Sequence, residues 1–576
     1  MEKRWLVKTK PSPEKINDLA QKLKIEPVLA TILIQRGIET FEDAQDFFRP
    51  DLKKLHNPFL MKNMDVAVNR LEKAIETKEK VLLFGDYDVD GTTSVALMYN
   101  VLKNHIENLD FYIPDRYAEG YGISFQGIDY AKEKGITLII ALDCGIKAHE
   151  KVNYANNLGI DFIICDHHEP GETVPDAIVL DQKQHDCNYP YKELSGCGVG
   201  FKLLQAFYQK NDWDQTLLFQ NLDLLAMSIA ADIVPITGEN RILAFYGLEI
   251  INKRPRKGVL ELLFQAKKEL PLTLTNVVFV LAPRINAAGR IHEGKKAVQL
   301  LISEDVNELR TLAISIESDN KERRNLDEII TKEALEMISE NNAFLDRETT
   351  VVFHESWHKG VIGIVASRLI ENHYKPTIVL TKSNGKITGS ARSIKGLNIH
   401  DALEKCDMFL EQFGGHAFAA GMTLDPSQLN DFSERFETVV QTLLPNSALV
   451  PEQTIDYDLN FQEIFTPGEN RFEVPKFKRI LNQLEPHGPQ NMKPIFVTRN
   501  VFVEDVRVLK DLHLKLVLSQ EDGSGIEIPA IGFNLVDKLD LVTSQDPIDI
   551  LYTLETNIWN NKESLQLNIK DIRSTI

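Results

Sequence analysis

Over the first 180 residues short apolar runs alternate with stretches of helical spacing, and each run stops at polar residues. Val81–Phe84 ends at Gly85 and is followed by acids at every second position, Asp86, Asp88 and Asp90. The run TLIIAL leads to Asp143, and DFIIC leads to Asp166, His167 and His168. Helix-like stretches such as SVALMYNVLKNHI and EKVNYANNLG lie between them. This alternation predicts an α/β unit with a parallel sheet and helices on its faces. The strand ends of such a sheet emerge at one edge, so the acids and histidines should converge there.

The pattern then changes. LDLLAMSIAADIVPI (222–236) predicts an apolar helix with Asp232 near its end, stopped by Pro235 and Gly238. The stretch 240–300 reads as mostly helical, interrupted at LAPRINAAGRI. From Ser303 to about Asn342 the chain is highly charged and lacks Gly and Pro, which predicts a long connector helix. Thr350 to Leu424 predicts a second, smaller α/β unit. After a Pro-spaced linker near 445–451, five stretches of period two predict an antiparallel β-barrel. The expected division is a helical segment at 1–60, the parallel-sheet domain at 61–250, a helical connector at 251–345, the smaller α/β domain at 346–445 and the barrel at 452–576.

Composition narrows the classes. At 576 residues the chain exceeds one core. No apolar run reaches membrane-spanning length, and MEKRWLVKTKPSPEK has no apolar core of a secretory signal. Five scattered cysteines without a CxxC pair point to a reducing, cytoplasmic setting and away from a zinc or disulfide framework. A net charge of −19 disfavours nonspecific affinity for nucleic acid, so such binding must rest on local patches. KRPRK (253–257) and KFKR (476–479) are the clearest.

Crowded acids repel one another unless a cation neutralises them. Asp86, Asp88, Asp90, Asp143, His167, His168 and Asp232 offer carboxylates with imidazole, a donor set for hard to borderline divalent ions. Histidine tilts the choice from Mg2+ toward Mn2+. The number of acids suits two ions sharing a bridging carboxylate, the arrangement that hydrolyses phosphoesters.

DYDVDG (86–91), LDCG (142–145), DHH (166–168) and ADIVP (231–235) resemble the four metal-site motifs of the DHH phosphoesterase superfamily. SARS (390–393) and GGHAFAAG (414–421) resemble its associated DHHA1 domain, and RINAAGR (284–290) with the terminal barrel resembles the RecJ exonuclease family. The resemblance implies a parallel-sheet DHH domain, a connector helix, a DHHA1-like domain and an OB-fold. It implies that Asp88, Asp90, Asp143, His167 and Asp232 ligate metal, with Asp143 the bridge. Asp86 is either a further ligand or, like Asp166, a residue that orients one. His168 is a phosphate contact or proton donor.

Phosphate and DNA contacts are expected from Gly414, Gly415 and His416, and from Ser390 with Arg392, which share one side of a strand. Arg116 is either an anion contact or a solvated loop residue. Arg284, Asn286 and Arg290 either line the cleft or tie the connector to the first domain. In the barrel Phe533, Tyr552 and Trp559 are candidate base-stacking residues. His487 and Pro489–Met492 depart from the family pattern. The implied activity is 5′→3′ exonucleolysis of single-stranded DNA to 5′-mononucleotides in recombination and repair, with single-strand-binding protein and recombination helicases as further partners. The alternatives are a small-substrate phosphoesterase or oligonucleotidase, against which the barrel argues, and a noncatalytic single-strand-binding scaffold, against which the intact acids argue.

Overall fold

Eighteen strands fall into three large sheets and one small pairing in this computed structural model, which describes residues 3–575 except 292–293, 342, 466–468, 470–472, 522–523 and 561. The first sheet is parallel throughout, ordered β3-β2-β4-β5-β6, with β2 at Val81–Gly85, β3 at Leu109–Tyr112, β4 at Leu138–Leu142, β5 at Asp161–Cys165 and β6 at Ile178–Leu180. The central strands β2 and β4 are buried along their whole length, which is why they read as unbroken apolar runs. Helices Val89–Leu102 and Gly196–Lys210 cover one face with side chains such as Val95, Met98, Phe201 and Leu204. Two strands escaped the periodicity. β3 is half-buried at the edge, and β6 has three residues.

Residues 282–291 form a helix rather than the expected interruption. Pro283 sits in its first turn, and a π-helical stretch, Val277–Leu281, leads into it. The expected connector is one helix of 35 residues, Val306–Glu340, about 52 Å long at 1.5 Å per residue. It leads to the second sheet, ordered β10-β11-β9-β8-β7, with β7 at Thr350–Phe353, β8 at Thr377–Ser383, β9 at Lys386–Arg392, β10 at Gln412–His416 and β11 at Ala419–Leu424. The glycine-rich stretch is thus a hairpin of β10 and β11.

The barrel closes. β14 (Phe496–Leu509) pairs with β15 (His513–Gln520) on one side and β17 (Ile548–Trp559) on the other, and β16 (Glu527–Gly532) meets β18 (Lys562–Ser574) in parallel. A short β13 (Tyr457–Asp458) extends β14. The amino-terminal segment carries helices Pro13–Leu23, Pro27–Ile34 and Phe41–Phe48, and they do not stand apart. Leu19, Leu29, Ile32 and Leu33 share a core with barrel residues such as Phe496, Ile550 and Leu567. β1 (Arg4–Val7) pairs in parallel with β12 (Glu452–Ile455), and the Trp5 Nε1–H donates to Asp571 at 2.9 Å. The first residues therefore pack on the last domain.

Arg241 fastens this unit to the first domain. Its guanidinium donates to the carbonyls of Phe47, Leu484, Glu485 and Pro486 and lies 3.6 Å from the Phe47 ring centre. The departing stretch around His487 belongs to the same junction. Burial pushes His487 down to about 4, so its neutral ring donates from Nδ1 to Asn491 O. The Pro489 carbonyl accepts from Ile236 N–H at 2.8 Å, just beyond the turn that carries Asp232.

Candidate active site

The carboxyl edge of the first sheet gathers the acids. Asp88 caps the helix after β2, its Oδ1 accepting from the Gly91 N–H at 3.0 Å. A Cβ on Gly91 would fall 2.4 Å from the Asp86 carbonyl oxygen, so only glycine allows this turn to fold so tightly. Asp90 is gripped from across the site. It accepts from the N–H groups of Gly196 and Cys197 at 2.7 and 2.9 Å, and from Ser228 Oγ at 2.6 Å. These backbone donors open the Gly196–Lys210 helix, whose positive end suits an anion. Asp143 follows β4 with φ of 60°, a left-handed conformation that costs an aspartate little. A Cβ on Gly196 would lie 2.6 Å from its Oδ1. The apolar helix before Asp232 ends at Ala231, shorter than expected, with Asp232 as its cap residue. Ile233 then takes φ of 60° although β-branched and 67% exposed, a strained turn of the kind found at functional sites.

His167 Nε2 stands at the centre. It lies 3.2 Å from Asp143 Oδ1, 3.5 Å from Asp232 Oδ2 and 3.7 Å from Asp90 Oδ2. Ligand atoms of Asp90, His167 and Asp232 cluster within 4.8 Å of one another, as do those of Asp143, His167 and His168. The cluster is incompletely bonded. Both oxygens of Asp86, Oδ1 of Asp143 and Nε2 of His167 are buried without a hydrogen-bond partner. Burial first, and then neighbouring carboxylates, holds Asp86, Asp143 and Asp232 well above the usual carboxylate range and raises Asp88. Burial pushes His167 down to about 4. Orphaned oxygens with one neutral imidazole fit divalent cations.

Asp166 behaves differently. Burial would raise it, yet it is held far below the usual range by a 2.7 Å contact with His168 Nδ1. It also accepts from the N–H groups of Ile146, His167 and His168. Burial would lower His168, but the Asp166 hydrogen bond and charge raise it to about 9. The His168 ring is therefore a cation at neutral pH, with Nε2 3.1 Å from Tyr121 Oη.

The second domain closes over this edge. The His416 ring stacks on His168, with centres 5.8 Å apart and planes 13° from parallel. Arg392 Nη1 donates to Ser390 Oγ at 2.9 Å, both facing Gly363 at the start of the Ile362–His373 helix. Arg116 lies 4.9 Å above the Tyr87 ring, beside Asp86. Arg290 donates to Gly360 O at 3.2 Å, and Tyr117 Oη–H donates to the Arg290 carbonyl. Burial, then mutual repulsion with Arg116, pushes Arg290 to about 10 and lowers Arg392. No carboxylate pairs with Arg116, Arg290 or Arg392 among the described residues, so this cluster is an anion site in search of an anion.

Known proteins share these domains and this fold. The DHH family N-terminal domain matches residues 80–229, the DHHA1 domain residues 346–442 and the RecJ OB domain residues 458–571. The Bacillus subtilis protein named single-stranded-DNA-specific exonuclease RecJ is 38% identical over 574 residues, spanning 99% of this chain and 70% of its own. The chain belongs to the RecJ family. The Escherichia coli RecJ is 32% identical over 95% of this chain and 96% of its own. Among solved structures, RecJ from Thermus thermophilus in complex with Mn2+ superposes with a TM-score of 0.84 at 26% identity, covering all of this chain and 80% of that one.

Not every expected contact reaches the cleft. Arg284 is taken by the connector, donating to Glu317 at 2.7 Å in a buried ion pair and to Val280 O. Asn286 accepts from the Val89 N–H at 3.1 Å and so props the turn after Asp88. Of the two expected roles, these bonds are those of residues that tie the connector and the turn after β2 to the first domain. Gly414 and Gly415 lie exposed on β10 next to His416. Tyr552 is fully buried and bonded to Thr498 Oγ1, hence core. Phe533 is 55% exposed, while the Trp559 side chain lies outside the described residues. The two basic patches are largely neutralised. Lys253, Arg256 and Lys257 pair with Glu249, Asp223 and Glu304, and Lys478 is buried. Tyr121, Ser195 and Ser228 went unpredicted, because a lone tyrosine or serine carries no motif.

Proposed function

We propose that this chain degrades single-stranded DNA from the 5′ end, releasing 5′-mononucleotides, in DNA recombination and repair. The observation that carries the reading is the buried, unpartnered cluster at the sheet edge, roofed by His416 and flanked by unpaired arginines. Asp88, Asp90, Asp143, His167 and Asp232, with Asp86 as a further candidate, would hold two Mn2+ ions, or Mg2+. When bound, such ions acidify a water for attack and stabilise the oxygen that leaves.

The chain's own groups do the rest. Gly196, Cys197 and Ser228 fix the Asp90 carboxylate before substrate arrives, so no reorganisation accompanies the reaction. Asp166 keeps the His168 ring charged and oriented, leaving the Nε2 proton to bond a phosphate oxygen or reach the leaving oxygen. Arg116, Arg290, Arg392 and Ser390 hold the phosphate at the 5′ terminus, and His416 closes over the strand. A cleft between the two domains that takes one strand would make the single-strand preference steric. The barrel, with Phe533 exposed, holds the strand farther along. Single-strand-binding protein and recombination helicases are the partners this role implies. Five free, buried cysteines suit the cytoplasm.

The test is digestion of single-stranded DNA labelled at either end with Mn2+ present, beside Asp143→Ala. Progressive loss from the 5′ end in the wild type alone is expected. Cleavage confined to very short oligomers would favour an oligonucleotidase, and strand binding without cleavage a scaffold.

A further inference from the structure

β6 ends at Leu180, and Asp181 opens a turn on the same sheet edge as the acid cluster. The turn is bolted down. Asp181 Oδ1 accepts from the Lys183 N–H at 2.6 Å. Gln182 Nε2 donates to Lys192 O and Leu194 O, and Lys192 Nζ returns a bond to Gln182 O at 2.7 Å. Gln184 Nε2 donates to Val179 O and Asp181 O. Asp181, Gln182 and Gln184 are all buried, at 0%, 0% and 4% exposure. Lys183 is the one side chain of the four left to point outward.

The segment tethered by Gln182 runs directly into Ser195 and Gly196, which shape the Asp90 pocket. Lys183 thus stands on a rigid platform fixed to the catalytic edge. Its ammonium makes no hydrogen bond or ion pair among the described residues. Its turn stands beside the cluster on the Asp232 side: the Asp166 N–H donates to Leu180 O at 3.1 Å, and Ser195, next to the Leu194 that Gln182 holds, lies 2.6 Å from Ser228 Oγ on the helix that Asp232 caps. Lys147, exposed on the turn after Asp143, also lacks a partner among the described residues. The arginines stand elsewhere, Arg116 over the Tyr87 ring after β2 and Arg290 against Gly360 O. Two separate cationic sites therefore flank the acid cluster.

A terminal phosphate and the scissile phosphate account for the arginines and the acid cluster. An unpaired lysine carried on a fixed turn beside the same cleft calls for a third anion. We propose that Lys183, together with His416, forms a phosphate subsite on the Asp232 side of the centre that holds the first backbone phosphate of the strand retained after cleavage. The subsite rests on the reading of this chain as a nuclease on single-stranded DNA. It gives the enzyme a grip on the shortened strand as each nucleotide leaves, with Lys147 at its outer rim.

The experiment compares two 5′-phosphorylated thymidine substrates with Mn2+: a dinucleotide, which carries only terminal and scissile phosphates, and a decamer. Lys183→Ala is expected to raise KM for the decamer about ten-fold, the worth of one charge-assisted hydrogen bond. Its kcat on the decamer and its kcat/KM on the dinucleotide should stay within about two-fold, and the salt dependence of decamer binding should lose about 0.7 in slope, one phosphate contact. Lys183→Arg, which keeps the charge, should restore the decamer KM. An equal loss on both substrates, or an unchanged decamer KM, would overturn the subsite. Wild-type protein that cleaves neither substrate would overturn the nuclease reading beneath it.

Discussion

Two buried clusters of charge in this chain obey opposite rules. At the junction, Lys202 Nζ donates to Glu239 at 2.9 Å and to His56 O at 2.8 Å, and Tyr189 Oη–H donates to the other Glu239 oxygen at 2.6 Å. Arg241, two residues on from Glu239, spends its guanidinium on backbone carbonyls of two other segments. Each charge there has its complement inside the protein. At the sheet edge five aspartates share one neutral imidazole, and four of the polar atoms have no hydrogen-bond partner among the described residues. Two structures of equal burial thus differ in whether the protein neutralises its own charge. Matched clusters hold a fold together, whereas a one-signed cluster is complete only with something bound.

The comparison breaks most visibly at Asp143. Asp143→Asn should lower kcat on single-stranded DNA by about a thousand-fold or more, while thermal unfolding in a chelator stays level or moves up, since one repelling charge is gone. A large loss of stability instead would place Asp143 with the structural charges. Lys202→Met should do the reverse. It strands Glu239 in the interior and should cost about 3–5 kcal/mol in denaturant unfolding, with kcat of the folded fraction kept.

Asp166 lies between the two classes, a matched acid within the unmatched cluster. Asp166→Asn should reduce turnover about 10- to 100-fold, the usual cost of losing a group that orients a reacting one. The loss should come with a lower His168 pKa, read by NMR titration, because the Asp166 charge is what raises it. The smallest effect is a shift with pH. Asp86, Asp143 and Asp232 titrate above their unfolded values, so in a chelator their ionisation destabilises the fold as pH rises past about 4, the ordinary carboxylate value. Mn2+ relieves that cost, so its gain in melting temperature should be a few degrees larger at pH 8 than at pH 5.5. An equal gain at both would separate the bound ion from these acids.

The site was readable from the chain where local sequence determines geometry. β2, β4 and β5 are apolar because they are buried on both faces, and the residues just past each strand must lie at the sheet edge, so Asp86, Asp143 and His167 converge by topology. Long-range pairing was not readable. Arg284 and Arg290 stand on one helix with the same chemistry, and only the fold reveals that Glu317 claims the first and leaves the second facing Arg116. The amino-terminal helices show apolar faces without naming their partner, a barrel more than four hundred residues downstream. Lys183 carries no motif, and its place is set by the buried bonds of its neighbours. His487 broke an expected pattern yet fits a neutral ring bonded within its own turn.

The central claim is that the unmatched acids form a site for divalent cations, and Mn2+ binding by isothermal calorimetry on metal-stripped protein tests it most directly. The account predicts two Mn2+ ions per chain with protons released on binding, and loss of at least one ion in Asp143→Asn. No saturable binding up to millimolar Mn2+, or binding that Asp143→Asn leaves intact, would contradict it.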